Sequence, residues 1–182
     1  DFVPFLNPGE NIPWNKVVRM MREQAQLAEE AKFTTVWLTE HHFAHNGYLN
    51  APPNPIMMSL DLASHSKKIR VGQAPIVLPD WHPLRVAEDI ALLDNMTEGR
   101  VDFGVAKGIN ERVTLQFNKE ADRRDNEKSY RLFMESLEII LKAWTLDPFT
   151  HKGEFYEFPV PGWKETNRFL MPLEKEYHSE DG

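Results

Sequence analysis

The chain has 182 residues, with 21 Lys and Arg against 28 Asp and Glu, a net charge of −7, and no cysteine. That length suits one domain with its own core. The acidity argues against a phosphate-neutralising nucleic-acid face and against an anionic membrane surface. Without cysteine there are no disulfides, no thiolate catalysis and no Cys-based zinc or iron–sulfur site, a composition compatible with a reducing cytoplasm.

No apolar run approaches the roughly 20 residues that span a bilayer, and no signal peptide is visible. The chain opens Asp1-Phe2-Val3-Pro4 and closes Ser179-Glu180-Asp181-Gly182. Both ends read as interior to a longer sequence.

In chain order, Val3–Leu6 reads as a short strand and Asn7–Asn11 as a turn. A helix follows from about Trp14 to Lys32, its apolar stripe read as Val18, Met21, Ala25 and Ala28. The β-branched run Thr34–Leu38 is a strand. Ala44–Pro55 is a loop, and Pro55–Ser66 a helix with Met58 and Leu62 one turn apart. Ile69–Ala74 is the third strand. Pro79–Pro83 is a loop, and Pro83 suits the first turn of the helix that carries Val86, Ile90 and Leu93. Gly99 fits the position just past that helix. Val101–Val105 is the fourth strand, and Ile109–Asp125 is irregular or partly helical. Asn126 to Trp144 is a helix ended by Pro148, with Leu132 or Phe133, Leu137, Ile140 or Leu141, and Trp144 on its buried side. Residues 151–182 form a hairpin-like excursion and a loop.

Alternating strands and helices predict an α/β fold with a parallel sheet. Four βα units match the N-terminal half of a (β/α)8 barrel, since a complete barrel takes about 250 residues. Residues 1–150 are read as that half, and 151–182 as an insertion leading onward.

Strand ends are where such a fold presents chemistry. Thr39-Glu40-His41-His42 delivers a carboxylate and two imidazoles. Alternation along a strand keeps both imidazoles from pointing the same way, and a histidine pair at a strand end is also ordinary surface polarity. Glu40, His41, His42 and His45 offer metal ligands, but no His-Glu-x-x-His helix is present, and no metal is expected. Ala74-Pro75 ends the third strand, and a trans bond is the simpler reading of the residues alone. Gly104-Val105-Ala106-Lys107-Gly108 permits close approach of a flat or anionic ligand, or is a plain turn. Trp37, Trp81, Phe103 and Phe117 line a pocket or sit in the core. Arg131 binds phosphate or pairs with Glu135.

Four stretches carry a resemblance: Val36-Trp37-Leu38-Thr39-Glu40-His41-His42-Phe43, Val71–Pro79, His82–Asp89 and Leu93–Gly104. In order and spacing they resemble the bacterial luciferase-like flavin monooxygenases, over the first half of that family's barrel. The resemblance implies reduced FMN delivered by a reductase, O2, and oxygenation of a small apolar organic substrate. It implies that His41 is the catalytic histidine, and that Gln73, Ala74, Ala106 and Lys107 contact the cofactor. It also implies a cis bond at Ala74–Pro75 and a homodimer. The alternatives are a deazaflavin-dependent oxidoreductase on the same barrel and a non-catalytic flavoprotein subunit. With the later strands absent from this sequence, the segment on its own is expected to bind FMN weakly.

Overall fold

The computed structural model describes residues 12–43, 52–109 and 111–161. The expected first strand, His45 and most of the loop after it lie outside those residues, as does the end of the tail. The chain divides into two units, residues 1–149 and 150–182.

The first unit opens with α1, Trp14–Glu30. Its buried face is Val17, Met21, Ala25 and Ala28. The stripe therefore starts at Val17 rather than at the expected Val18, because steps of four, four and three keep Cβ atoms on one side of a 3.6-residue helix. Strand β1, Thr35–Leu38, follows, then α2, Pro55–Ser64. Asn54 caps α2 by accepting the Met57 N–H at 2.9 Å, which satisfies one of the helix's free donors.

Strand β2 is Arg70–Gln73. A second short strand, β3 at Ile76–Val77, comes after Pro75, and a 3₁₀ turn spans Leu78–Asp80. Helix α3 is Pro83–Met96. Beyond it Gly99 sits at φ 80° and donates its N–H to Asp94 at 2.9 Å. The expected fourth strand is split into β4, Val101–Asp102, and β5, Val105–Ala106. Helices α4, Glu111–Phe117, and α5, Asn126–Thr145, complete the unit.

Strands β1, β2 and β4 form one parallel sheet in that order, and β3 pairs in parallel with β5. Strand β2 lies beside β1, and β4 beside β2, all parallel and joined through helices, as in a βα barrel. Val36 and Leu38 face the helices, packing with Val17, Met21, Leu62, Ile69 and Val71. A second cluster joins Ile56, Ile76, Leu78, Val86, Ile90, Leu93 and Ile140. Burying each such side chain stabilises the fold by roughly 1.5–3 kcal/mol.

Polar bonds tie the connections down. The Glu29 carboxylate accepts the N–H groups of Lys67, Lys68 and Ile69 at 3.0, 2.6 and 2.8 Å. These backbone donors hold its carboxyl below the usual range. Arg100 reaches the Ala63 and Ile69 carbonyls at 3.0 and 3.2 Å.

On the sheet face away from the helices, Arg70 Nε donates to Asp102 Oδ1 at 2.8 Å. The Thr35 hydroxyl donates to Asp102 Oδ2 at 3.0 Å. The Trp37 ring covers Gly72 so closely that a Cβ there would lie 2.4 Å from it.

The second unit carries an antiparallel hairpin, β6 His151–Lys152 with β7 Glu157–Phe158, closed by Gly153 N–H to Tyr156 O at 2.9 Å. No helix among the described residues is long and apolar enough to cross a membrane.

Candidate active site at the strand ends

Because β1 and β2 run parallel with Leu38 opposite Gln73, their C-terminal ends open on the same edge. His41 lies three residues past Leu38, and Ala74 one past Gln73. Val77 is opposite Ala106, so Lys107 follows directly at the end of β5. The strand register thus brings His41, Ala74, Ala106 and Lys107 to the rims where βα folds hold ligands.

Along β1 the even positions Val36 and Leu38 are buried, and Glu40 continues them at 5% exposure. The odd positions Thr35, Trp37 and His41 are half-buried. Beyond the strand, His41 and His42 are both half-buried.

Glu40 is a convergence point. Its Oε1 accepts from Trp81 Nε1 at 2.9 Å and pairs with His42 Nε2 at 2.8 Å. Its Oε2 accepts the Val77 N–H at 2.8 Å. A buried carboxylate is costly unless donors surround it; here the donors come from the end of β3, from the residue after the 3₁₀ turn, and from its own loop. His42 is held against Glu40 and packs on Phe117, with ring centroids 4.6 Å apart. His42 is thus a partner of Glu40.

Asp80 lies beside this pair. One ligand atom each of Glu40, His42 and Asp80 falls within a 4.8 Å cluster. Burial, and secondarily the Glu40 charge, pushes the Asp80 carboxyl up to about 7, while His42 pulls the other way. His82, at the start of α3, is lowered by burial.

The Ala74–Pro75 bond is cis, the form implied by the resemblance and not the trans form read from the residues alone. Ala74 is exposed and Ala106 half-buried. Lys107 Nζ donates to Asn126 Oδ1 at 2.6 Å and stands 5.9 Å from the Tyr130 ring centroid. Gln73 is fully buried and donates Nε2 to Ser59 at 2.8 Å, while its Oε1 meets no donor.

Trp81 hydrogen-bonds Glu40, and Phe103 meets Trp144 edge-on at 5.3 Å. Both belong partly to the second core cluster. Sequence reasoning missed the roles of Glu40 and Asp80. Only Glu40 left a signal: it extends the buried parity of Val36 and Leu38.

The sequence profile of luciferase-like monooxygenases matches residues 2–173. The chain is 33% identical over 144 residues to the alkanal monooxygenase alpha chain of the Kryptophanaron alfredi symbiont, covering 79% of this chain and 38% of that one. It is 30% identical over 139 residues to the oxygenase component of the flavin-dependent trigonelline monooxygenase of Acinetobacter baylyi, covering 76% and 37%. The fold superimposes with a TM-score of 0.71 and 22% identity on the oxygenating constituent of 3,6-diketocamphane monooxygenase from Pseudomonas putida, a type II Baeyer–Villiger enzyme in complex with FMN, over 85% of this chain and 41% of that one. The chain spans about two fifths of the length of these relatives, and its strands and helices are the corresponding part of a (β/α)8 barrel. It is a member of the luciferase-like monooxygenase family.

Proposed function

We propose that the protein is the oxygenase of a two-component flavin monooxygenase, using FMN reduced by a separate reductase, and O2, to oxygenate a small apolar organic molecule. The observation that carries this reading is that His41 and Ala74 follow the paired ends of β1 and β2, and that Ala106 and Lys107 stand at the end of β5. Likeness to the named oxygenase component of a flavin-dependent enzyme supports the reductase partner. Likeness to alkanal monooxygenase chains supports an apolar substrate.

The residues fit FMN in kind. Ala74 and Ala106 leave room for a planar ring. Gln73 Oε1, buried without a donor, has an acceptor position to offer. Lys107, now engaged with a neutral amide, offers a cation to the phosphate. Bound there, reduced FMN would supply the electrons that activate O2. His41 would hold or move a proton at the ring's reactive edge. The flanking aromatics would keep water out. A cytoplasmic homodimer completes the proposal.

The test is oxygen-dependent consumption of reduced FMN by the full-length protein. His41→Ala should lower turnover about 10²–10⁴-fold, the range for a lost acid–base group, with little change in FMN affinity. Unchanged turnover in that variant refutes the role given to His41. Reduction of a deazaflavin without O2 consumption would favour the dehydrogenase reading instead.

A further inference from the structure

One ionisable group at the rim is left unused by this chemistry. Asp80 closes the 3₁₀ turn that joins β3 to α3. Both of its carboxylate oxygens are buried, and neither has a hydrogen-bond partner. An ionised carboxylate in that position is uncompensated and expensive. Its neighbours offer little relief. The Glu40 oxygens are already taken up by Val77, Trp81 and His42. Helices α4 and α5 also pack against the turn, but the charges that act on Asp80 are those of Glu40 and His42.

Three ionisable groups in so small a space do not titrate independently. Glu40 already accepts three N–H donors, whereas both Asp80 oxygens are without a partner. We propose that Asp80 is a positioning residue for the oxygenation reaction, exchanging one proton with His42 and so setting the charge of the imidazole next to His41. The step balances. A proton leaves an Asp80 oxygen and arrives on a ring nitrogen of His42, directly or through one water; Asp80 becomes the carboxylate and His42 the imidazolium. The net charge of the cluster is unchanged. The elevated affinity of Asp80 for its proton, brought to near neutrality by burial, suits such an exchange.

The same three groups are close enough to share a divalent cation. A cation would have to displace donors already placed on Glu40, so the proton is the better occupant.

The catalytic consequence rests on the oxygenase reading above, whereas the proton exchange rests on the geometry alone. The experiment therefore has two arms, both on the full-length protein. In the first, the His42 ring is followed by 15N NMR against pH in wild type, Asp80→Asn and Asp80→Glu. We expect the His42 titration curve to be displaced in Asp80→Asn and restored in Asp80→Glu. A His42 curve indifferent to both substitutions overturns the proposal. So does a shift of the His42 resonances on adding Zn²⁺ or Mn²⁺ that Asp80→Asn abolishes, because the cluster would then be a cation site. In the second arm, the kcat–pH profile with reduced FMN and O2 should lose its neutral limb in Asp80→Asn, with kcat down about tenfold, less than for a direct acid–base group, and FMN affinity within about twofold. An unchanged profile overturns the catalytic role. Absence of any wild-type O2 consumption would sink the oxygenase reading, and the first arm would still decide the proton exchange.

Discussion

Glu40 Oε1 and Trp81 Nε1 lie 2.9 Å apart, joining the segment just past β1 to the turn that launches α3 across 41 residues of sequence. The indole is one of the donors that make a buried carboxylate tolerable at the rim. Trp81→Phe keeps most of the apolar contact and removes the N–H. Hydrogen bonds to charged groups contribute about 1.5–3 kcal/mol, so the variant should be less stable by about that amount. Urea denaturation measures it, and an unmoved midpoint would show that the bond contributes nothing.

Asp80 makes stability depend on pH in the direction opposite to most carboxylates. Its folded-state value is raised from 3.8 to about 7. The folded protein therefore binds a proton that the unfolded chain releases first. The associated stability is fully present below about pH 4 and is lost as pH rises toward 7. A shift of about three units corresponds to about 4 kcal/mol at most. Asp80→Asn carries no such proton. The stability difference between variant and wild type should move in favour of the variant between pH 4 and 8, then level off. Thermal unfolding across that range checks it; a pH-independent difference would mean that Asp80 is ionised throughout.

Where side chains alternate or recur along one element, the sequence was legible. The α3 stripe of Val86, Ile90 and Leu93 is buried as read, and the parallel β order follows from the alternation of strand and helix. The site was harder to read. Glu40 follows the parity of Val36 and Leu38, yet its donors come from Val77 and Trp81, about forty residues away, and no local pattern announces them. Asp80 reads as a loop residue because Pro79-Asp80 is turn chemistry; only the tertiary packing buries its oxygens. The break between β4 and β5 at Phe103-Gly104 was likewise hidden. It falls where the pairing partner changes, β4 lying beside β2 and β5 beside β3, and sequence reading assigned no strand to Ile76–Val77.

Asp102 accepts from Arg70 and Thr35 on the inner sheet face. The hydrogen bond from Arg70 is the main reason that its carboxyl is held below the ordinary range, against the effect of burial. Stability from this pair is present above about pH 4, where the unfolded carboxyl is ionised, and is lost as pH falls through the depressed folded value. The pair is partly solvated, with side-chain exposures of 39% and 27%, so screening limits its worth. Asp102→Asn should cost about 1 kcal/mol at pH 7 and less at pH 2, where the unfolded carboxyl is already protonated and part of the pair's contribution is gone. Denaturant midpoints at the two pH values test this, and an equal loss at both would assign the effect to packing instead.

Gly72 and Gly104 are both closed to larger residues, for different physical reasons. A Cβ on Gly72 would lie 2.4 Å from the Trp37 ring, whereas one on Gly104 would lie 2.2 Å from the backbone carbonyl oxygen of Gln73. A side chain can be trimmed; a strand backbone cannot move without disturbing its register. Both Gly72→Ala and Gly104→Ala should therefore destabilise, by about 1–3 kcal/mol or more as overpacked sites do. Adding Trp37→Leu should recover much of the loss at Gly72 and little of it at Gly104. The double-mutant cycle isolates that difference, because the coupling term is large only when the two altered groups collide. Equal coupling in both cycles would mean that Trp37, rather than the strand backbone, limits both positions.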